Sequence, residues 1–293
     1  MTDITSEIYE LESFREIAQT YQEVSALRMR RIKNYVLKNR DFLSGLAHVF
    51  ARVRVSYEEG LKHFLESKGI KAPEEQQDYI SRMNFSTKNG RDALVLISAN
   101  TGLYGDIIRR VFEYFVQHLD DKADPVIVGK VGRMLFEQRF PGRDFRYYDL
   151  SDSEPAPVVV NRLIQDLNEY EHVIVFHGKF KDILQQEPSQ TSVAGDRLSL
   201  EVREDLKKIN CIFEPTLEEV FQFFETEIKK TLFEQSIYEA SLSKFTSRMV
   251  SLDSASSNVT QRIKRLRLRQ AVYKHRQADK EKNTVLSSVL FGA

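Results

Sequence analysis

The sequence predicts an α/β domain inserted between two long helices that pair with each other as an antiparallel coiled coil. Three observations predict it. Glycine and proline, 12 and 7 in 293 residues, crowd between Gly69 and Pro215, so helix breakers are nearly missing from both ends. The two ends carry apolar residues at helical spacing. The middle alternates short apolar runs with amphipathic ones, the signature of strand following helix.

The N-terminal part, 1–68, reads as one helix. Ile8, Leu11, Phe14, Ile17, Tyr21 and Val24 step by 3, 3, 3, 4 and 3, and Leu46, Val49, Val53, Tyr57, Leu61 and Phe64 continue at helical spacing. One stripe of this kind needs a helix of roughly 60 residues, about 90 Å long.

The middle part, 79–213, supplies the sheet. Buried strand runs are expected at 93–98 (ALVLIS), 125–129 (PVIVG), within DFRYYDL at 144–150, and at 173–180 (VIVFHGKF). Between them, 107–119 and 132–140 are amphipathic helices, and APVVVNRLIQDLNEYEH contains a third. Strand alternating with helix implies a mostly parallel, doubly wound, Rossmann-like sheet. LSLEVR and NCIFEP are candidate edge strands.

The C-terminal part, 216–293, has the clearest periodicity. Leu242, Phe245, Met249, Leu252, Ala255, Val259, Ile263 and Leu266 step by 3, 4, 3, 3, 4, 4 and 3. The mean lies near 3.5, the period of a coiled-coil seam. A long helix with so narrow a stripe must bury it against a partner, and the simplest partner for each terminal helix is the other.

Composition excludes several function classes. Lys+Arg and Asp+Glu number 43 each, which argues against a dedicated nucleic-acid or membrane-surface protein. No run of about 18 apolar residues occurs. Cys211 stands alone, which rules out an intramolecular disulfide and a cysteine-built zinc site. The opening MTDITSEIYE reads neither as a signal peptide nor as a transit peptide, so the default compartment is the cytoplasm.

Sites for chemistry are sparse. The stretch Ile97-Ser-Ala-Asn-Thr-Gly102-Leu103-Tyr-Gly105 follows a strand and opens a helix, a place where phosphate can bind. It lacks both the three-glycine spacing and the lysine of the nucleotide-binding motifs, so it reads as a structural turn, with a nucleotide-binding enzyme as the rival. The six histidines share no metal-ligand spacing, and neither a nucleophile elbow nor a catalytic constellation appears. No cofactor or metal is expected. Two basic runs stand out: Arg28, Arg30, Arg31, Lys33, Lys38 and Arg40 on the first helix, and Arg262, Lys264, Arg265, Arg267, Arg269, Lys274 and Arg276 on the last. They read either as solvated coiled-coil flanks or as positive collars that meet acidic partners.

Three collinear stretches resemble the gamma subunit of F-type ATP synthases, as a divergent member would. In SEIYELESFREIAQTYQEVSALRMRR, residues Ile8, Ile17, Val24, Ala26, Met29, Arg30 and Arg31 fall in register with the family's opening helix. Ser98-Ala-Asn-Thr-Gly102-Leu103-Tyr-Gly105 is similar to its Ser-Asp-Arg-Gly-Leu-Cys-Gly-Gly turn. Arg248-Met249-Val250, Ala255-Ser-Ser-Asn258, Tyr273 with Arg276-Gln277-Ala278, and the final Gly292-Ala293 follow its last helix in order. Asp279-Lys-Glu-Lys-Asn-Thr departs from the family's Ser-Ile-Thr-x-Glu-Leu, so an apolar tip has become charged.

The resemblance implies a non-catalytic central rotor that couples transmembrane ion flow to ATP synthesis or hydrolysis. Its implied partners are the alpha and beta subunits of the hexameric head, the epsilon subunit and the membrane c-ring. Its implied place is peripheral, on the cytoplasmic face of the cell membrane. The expected partner-interface residues are Arg28, Arg30, Arg31, Arg248, Met249, Arg262, Arg265, Arg269, Arg276 and Gln277, with Gly102, Leu103 and Gly105 as a structural turn. A shaft specialised for hydrolysis-driven work fits the same residues, as does an unrelated coiled-coil adaptor.

Overall fold

A computed structural model describes residues 2–67, 90–152, 156–193, 214 and 216–291. The elements in chain order are α1 (Thr2–Ser67), β1 (Asp92–Ile97), α2 (Ile107–His118), β2 (Asp124–Val128), α3 (Lys130–Arg139), β3 (Arg146–Tyr148), α4 (Pro157–Leu167), β4 (His172–Phe180), β5 (Gln186–Ser192) and α5 (Leu217–Phe291). The expected order of helix, mixed domain and helix is present. The edge strands expected at LSLEVR and NCIFEP fall outside the described residues, apart from Glu214.

Compactness divides the chain into two units, one of residues 28–247 and one of 1–27 with 248–293. The first holds a single five-stranded sheet in the order β3-β2-β1-β4-β5. The first four strands run parallel, and β5 returns antiparallel to β4. Parallel strands are covered on both faces, which is why ALVLI and PVIV are nearly continuous apolar runs.

The period-2 alternation sorts these runs onto the two faces. Leu94, Leu96, Ile127 and Phe176 pack with Ile107, Val111 and Phe115 of α2 and Phe136 of α3. Ala93, Val95, Val126, Val173 and Val175 pack with Val160, Leu163 and Leu167 of α4. So α2 and α3 build the sheet toward one edge, and α4 carries the chain across the opposite face to start β4 beside β1. The winding reverses between β1 and β4, and in doubly wound sheets that reversal opens a crevice at the carboxyl ends of the strands.

Gly129 ends β2 with a φ of 98°, and a Cβ there would come within 2.9 Å of the Ala99 backbone. The position therefore requires glycine. Strand β5, QEPSQTS, was not expected from the sequence. It has no apolar alternation and contains Pro188, which is tolerated because β5 is an edge strand.

The second unit is a helix pair. Ile8, Ile263 and Leu266 are buried together, flanked by Ile4, Leu11 and Val259. Hydrogen bonds join Thr5 to Gln270 at 2.9 Å and Gln22 to Asp253 at 3.0 Å. Rising numbers on α1 meet falling numbers on α5, so the pair is antiparallel, as the sequence predicts.

Candidate functional sites: the helix pair and the sheet crevice

The seam of the helix pair differs in one respect from the sequence reading. On α1 a line of covered positions, Ile4, Ile8, Leu11, Arg15, Ala18, Gln22 and Ser25, steps in strict alternation of 4 and 3, with Glu7, Glu12, Ser13 and Ala26 partly covered beside it. Phe14, Ile17, Tyr21 and Val24, expected in the seam, are exposed. A strict heptad repeat accepts Arg15, Gln22 and Ser25 into the seam and leaves the larger apolar side chains on its flank. On α5 the seam runs through Met249, Leu252, Ser256, Val259, Ile263 and Leu266, close to expectation.

The expected interface residues fall into three environments. Arg265, Arg269, Arg276 and Gln277 are exposed on α5, and Gln277 reaches the Tyr273 hydroxyl at 3.4 Å. Arg28, Arg30 and Arg31 are exposed on α1, with the Arg28 guanidinium carbon 5.5 Å from the centroid of the Phe245 ring. Others are engaged within the chain. Arg262 binds Glu7 at 2.6 Å, and Arg267 pairs with Glu12. Arg248 is only 8% exposed, and Met249 is half-buried in the seam. The positive run on α5 is therefore partly neutralised by acids of α1 that lie about 255 residues away in sequence. From Ala271 to Ser287 every side chain is exposed except the half-buried Ala278.

The second site is the sheet crevice. Ser98 follows β1, and Gly178 lies near the end of β4, two steps past the Leu96–Phe176 pair. In this crevice sits α5. Its Lys244 ammonium donates to the Ser98 carbonyl at 2.9 Å and to Asp152 Oδ1 at 2.8 Å. Ser247 donates to the Tyr104 carbonyl at 2.8 Å. Gly178 makes room for the helix, because a Cβ there would lie 2.6 Å from Ser243 Oγ.

The turn 98–105 bears directly on phosphate binding. Asp152 Oδ2 accepts from the Asn100 N–H at 3.0 Å, the Thr101 N–H at 3.1 Å and the Thr101 hydroxyl at 3.1 Å. Backbone donors that a phosphate-binding turn would aim at its ligand are taken by the protein's own carboxylate. Burial pushes the Asp152 carboxyl up, but the Lys244 ammonium, its hydrogen bond and the Asn100 N–H together hold it below its usual value. Asp152 is therefore ionised, a fixed anion in an anion cradle.

Leu103 in this turn has a φ of 66° and Gly105 one of 60°. Left-handed backbone is costly for leucine, so the turn is held by its surroundings. Among the described residues no group of three or more His, Cys, Asp or Glu is placed to hold a metal.

Sequence reasoning missed Asp152, Lys244, Asn39, Arg40 and Glu239 as a polar framework. Arg40 binds Glu239 at 2.6 Å, Gln235 donates to Glu239 at 2.8 Å, and Asn39 donates to Gln235 at 2.9 Å, which ties α1 to α5 at the base of the sheet unit. The available signal was a lysine in the seam-bearing helix amid small polar residues, SLSKFTS, where solvated flanks were otherwise expected.

Comparison with known proteins follows the same lines. A family model described as ATP synthase matches residues 1–282. The chain is similar to the ATP synthase gamma chain of Pelotomaculum thermopropionicum, 25% identical over 307 residues and covering all of this chain and 98% of the relative. It is similar to that of Cytophaga hutchinsonii at 21% identity, covering 92% of this chain and 90% of the relative. Among solved structures, a chain of the Tetrahymena thermophila mitochondrial ATP synthase central stalk and c-ring aligns with a TM-score of 0.54 at 17% identity. That alignment covers 82% of this chain and 99% of that one. A chain of the Euglena gracilis mitochondrial ATP synthase gives 0.50 at 12% identity, covering 89% and 93%. At these identities the structural likeness speaks for the fold.

Proposed function

This chain belongs to the family of ATP synthase gamma chains, and from that premise we propose that it is the non-catalytic central shaft of a rotary ATP synthase. The helix pair stands within the hexameric head of alpha and beta subunits. The sheet unit docks on the membrane c-ring beside the epsilon subunit. Ion flow turns the ring, the shaft turns with it, and its uneven surface drives the catalytic subunits through their nucleotide states. The complex is membrane-associated, and through it this chain is peripheral to the membrane, on the cytoplasmic face. No described helix is long and apolar enough to cross a membrane.

The observation that carries this reading is a family match running through both helices and the inserted sheet, over residues 1–282. The physical design supports it. Two helices braced along a heptad seam resist bending better than either alone. Exposed cations at Arg265, Arg269 and Arg276, with Gln277, suit passing contacts with acidic surfaces of the surrounding subunits, because surface ion pairs form and break at little cost. Arg262, already bridged to Glu7, contributes less to such contacts.

The test is affinity purification of the tagged chain from membranes at native expression. Alpha, beta and epsilon chains are expected to co-purify with ATPase activity, and removal of the gene is expected to abolish ATP-driven ion pumping. Purification without any ATPase subunit would overturn the reading.

A further inference from the structure

A doubly wound sheet keeps a ligand crevice at its switch point. In this chain α5 fills it. The helix feeds both core layers, with Phe233, Ile237 and Ala240 in one and Leu242 and Phe245 in the other. Between and beside these lies a polar stretch, and Ser241, Ser243, Lys244, Thr246 and Ser247 are all buried. The large side chains hold α5 in both layers, and along the polar stretch directional contacts add a fixed rotational setting.

We propose that Lys244 and Asp152 form a torque lock: the ammonium of the shaft helix engages a fixed anion at the sheet switch point, so that turning force on the sheet unit reaches α5 without slip. The pair is enclosed, with the Lys244 and Asp152 side chains 6% and 9% exposed. It is also over-determined. The ammonium holds both a carboxylate and the Ser98 carbonyl, and the carboxylate holds two backbone N–H groups and a hydroxyl of the turn. Rotation of α5 in its groove would break both hydrogen bonds of the ammonium together, while the turn keeps the carboxylate in place. A buried ion pair adds little net stability relative to apolar residues of the same volume, and its best-attested use is to fix register. Both act as positioning residues, through the setting of α5 against the turn.

This rests on the shaft reading. The test therefore begins with the wild-type complex in sealed vesicles, where assembly and ATP-driven pumping check that reading by themselves. Lys244→Met is then compared for ions pumped per ATP hydrolysed. The lock predicts a lower melting temperature, because the Asp152 carboxylate is left buried without its ammonium, and, in the complexes that assemble and hydrolyse ATP, a several-fold lower pumping ratio, with Lys244→Arg restoring most of both. A purely structural role would lower assembly and ATPase activity together and leave the ratio of the assembled complexes intact. A wild-type ratio in Lys244→Met overturns the proposal. Where Lys244→Met does not assemble, Asp152→Asn, which removes the charge and keeps the volume, decides it by the same ratio.

Discussion

At the scale of single residues, the crevice is the most constrained part of the molecule. Gly178 lies against Ser243, and an added methyl would also approach Ile107 at 3.2 Å. Gly178→Ala is expected to cost about 1–3 kcal/mol through overpacking. Ser243→Ala in the same chain should recover part of this, as measured by denaturant midpoint. His177 is buried next to this glycine. Its Nδ1 donates to the Gly178 carbonyl at 3.3 Å, so Nε2 accepts the Thr191 hydroxyl at 2.9 Å. Burial pushes its pKa below the ordinary 6.5, against the opposing pull of the Gly178 carbonyl and the Glu239 charge and with a small push from Lys179. The unfolded chain then binds the proton more readily than the folded one, so stability is lost as pH falls below 6.5. The denaturant midpoint should decline from about pH 7 to about pH 5, and His177→Gln should flatten that decline. Asp152 behaves in the same sense lower down. Its contribution is complete above the ordinary 3.8 and is lost as pH falls beneath that value.

At the scale of elements, the seam of the helix pair carries the predictions. Arg15 occupies a heptad core position, and its buried Nε has no hydrogen-bond partner among the described residues. Arg15→Leu is expected to stabilise the chain by about 1–2 kcal/mol, because a desolvated donor is replaced by apolar surface. An unchanged or lower melting temperature would count against the seam as drawn. Ile263→Ala removes a side chain buried between Ile8 and Leu266 and should cost about 2 kcal/mol, at the low end for a core truncation because the cluster is small. The elements were legible in the sequence wherever periodicity was apolar. ALVLI, PVIV and the heptads of α5 announced themselves. Strand β5 did not, because QEPSQTS pairs through its backbone on an open edge and buries little. Nor did the α1 seam, where Arg15, Gln22 and Ser25 keep the repeat while Phe14, Ile17, Tyr21 and Val24 mark a neighbouring flank. A polar residue in a seam is invisible to a search for apolar stripes.

At the scale of the whole molecule, the balance of 43 cations and 43 anions takes on structural meaning. Part of it is spent inside the chain, in Arg262–Glu7, Arg267–Glu12, Arg40–Glu239 and Lys244–Asp152. Outside these pairs the basic run of α5 keeps Lys264, Arg265, Arg269, Lys274 and Arg276 exposed, and of these Arg265, Arg269 and Arg276 are the three expected at a partner interface. Reversal of these three to Glu is expected to lower ATP-driven pumping by the assembled complex while leaving the melting temperature of the chain within about 0.5 kcal/mol of wild type in stability terms. The architecture of the chain was readable because breaker placement and collinear motifs extend over its full length. The polar locks were not, because each joins residues between about 90 and 255 positions apart, and no local pattern reports a pairing at that distance. The central claim is that this chain turns inside an ATP synthase. Its most direct test is a rotation assay on the surface-immobilised complex, with a bead attached to this chain and ATP supplied. Unidirectional, ATP-dependent rotation in discrete steps is the predicted result. A complex that hydrolyses ATP while the bead on this chain stays fixed would contradict it.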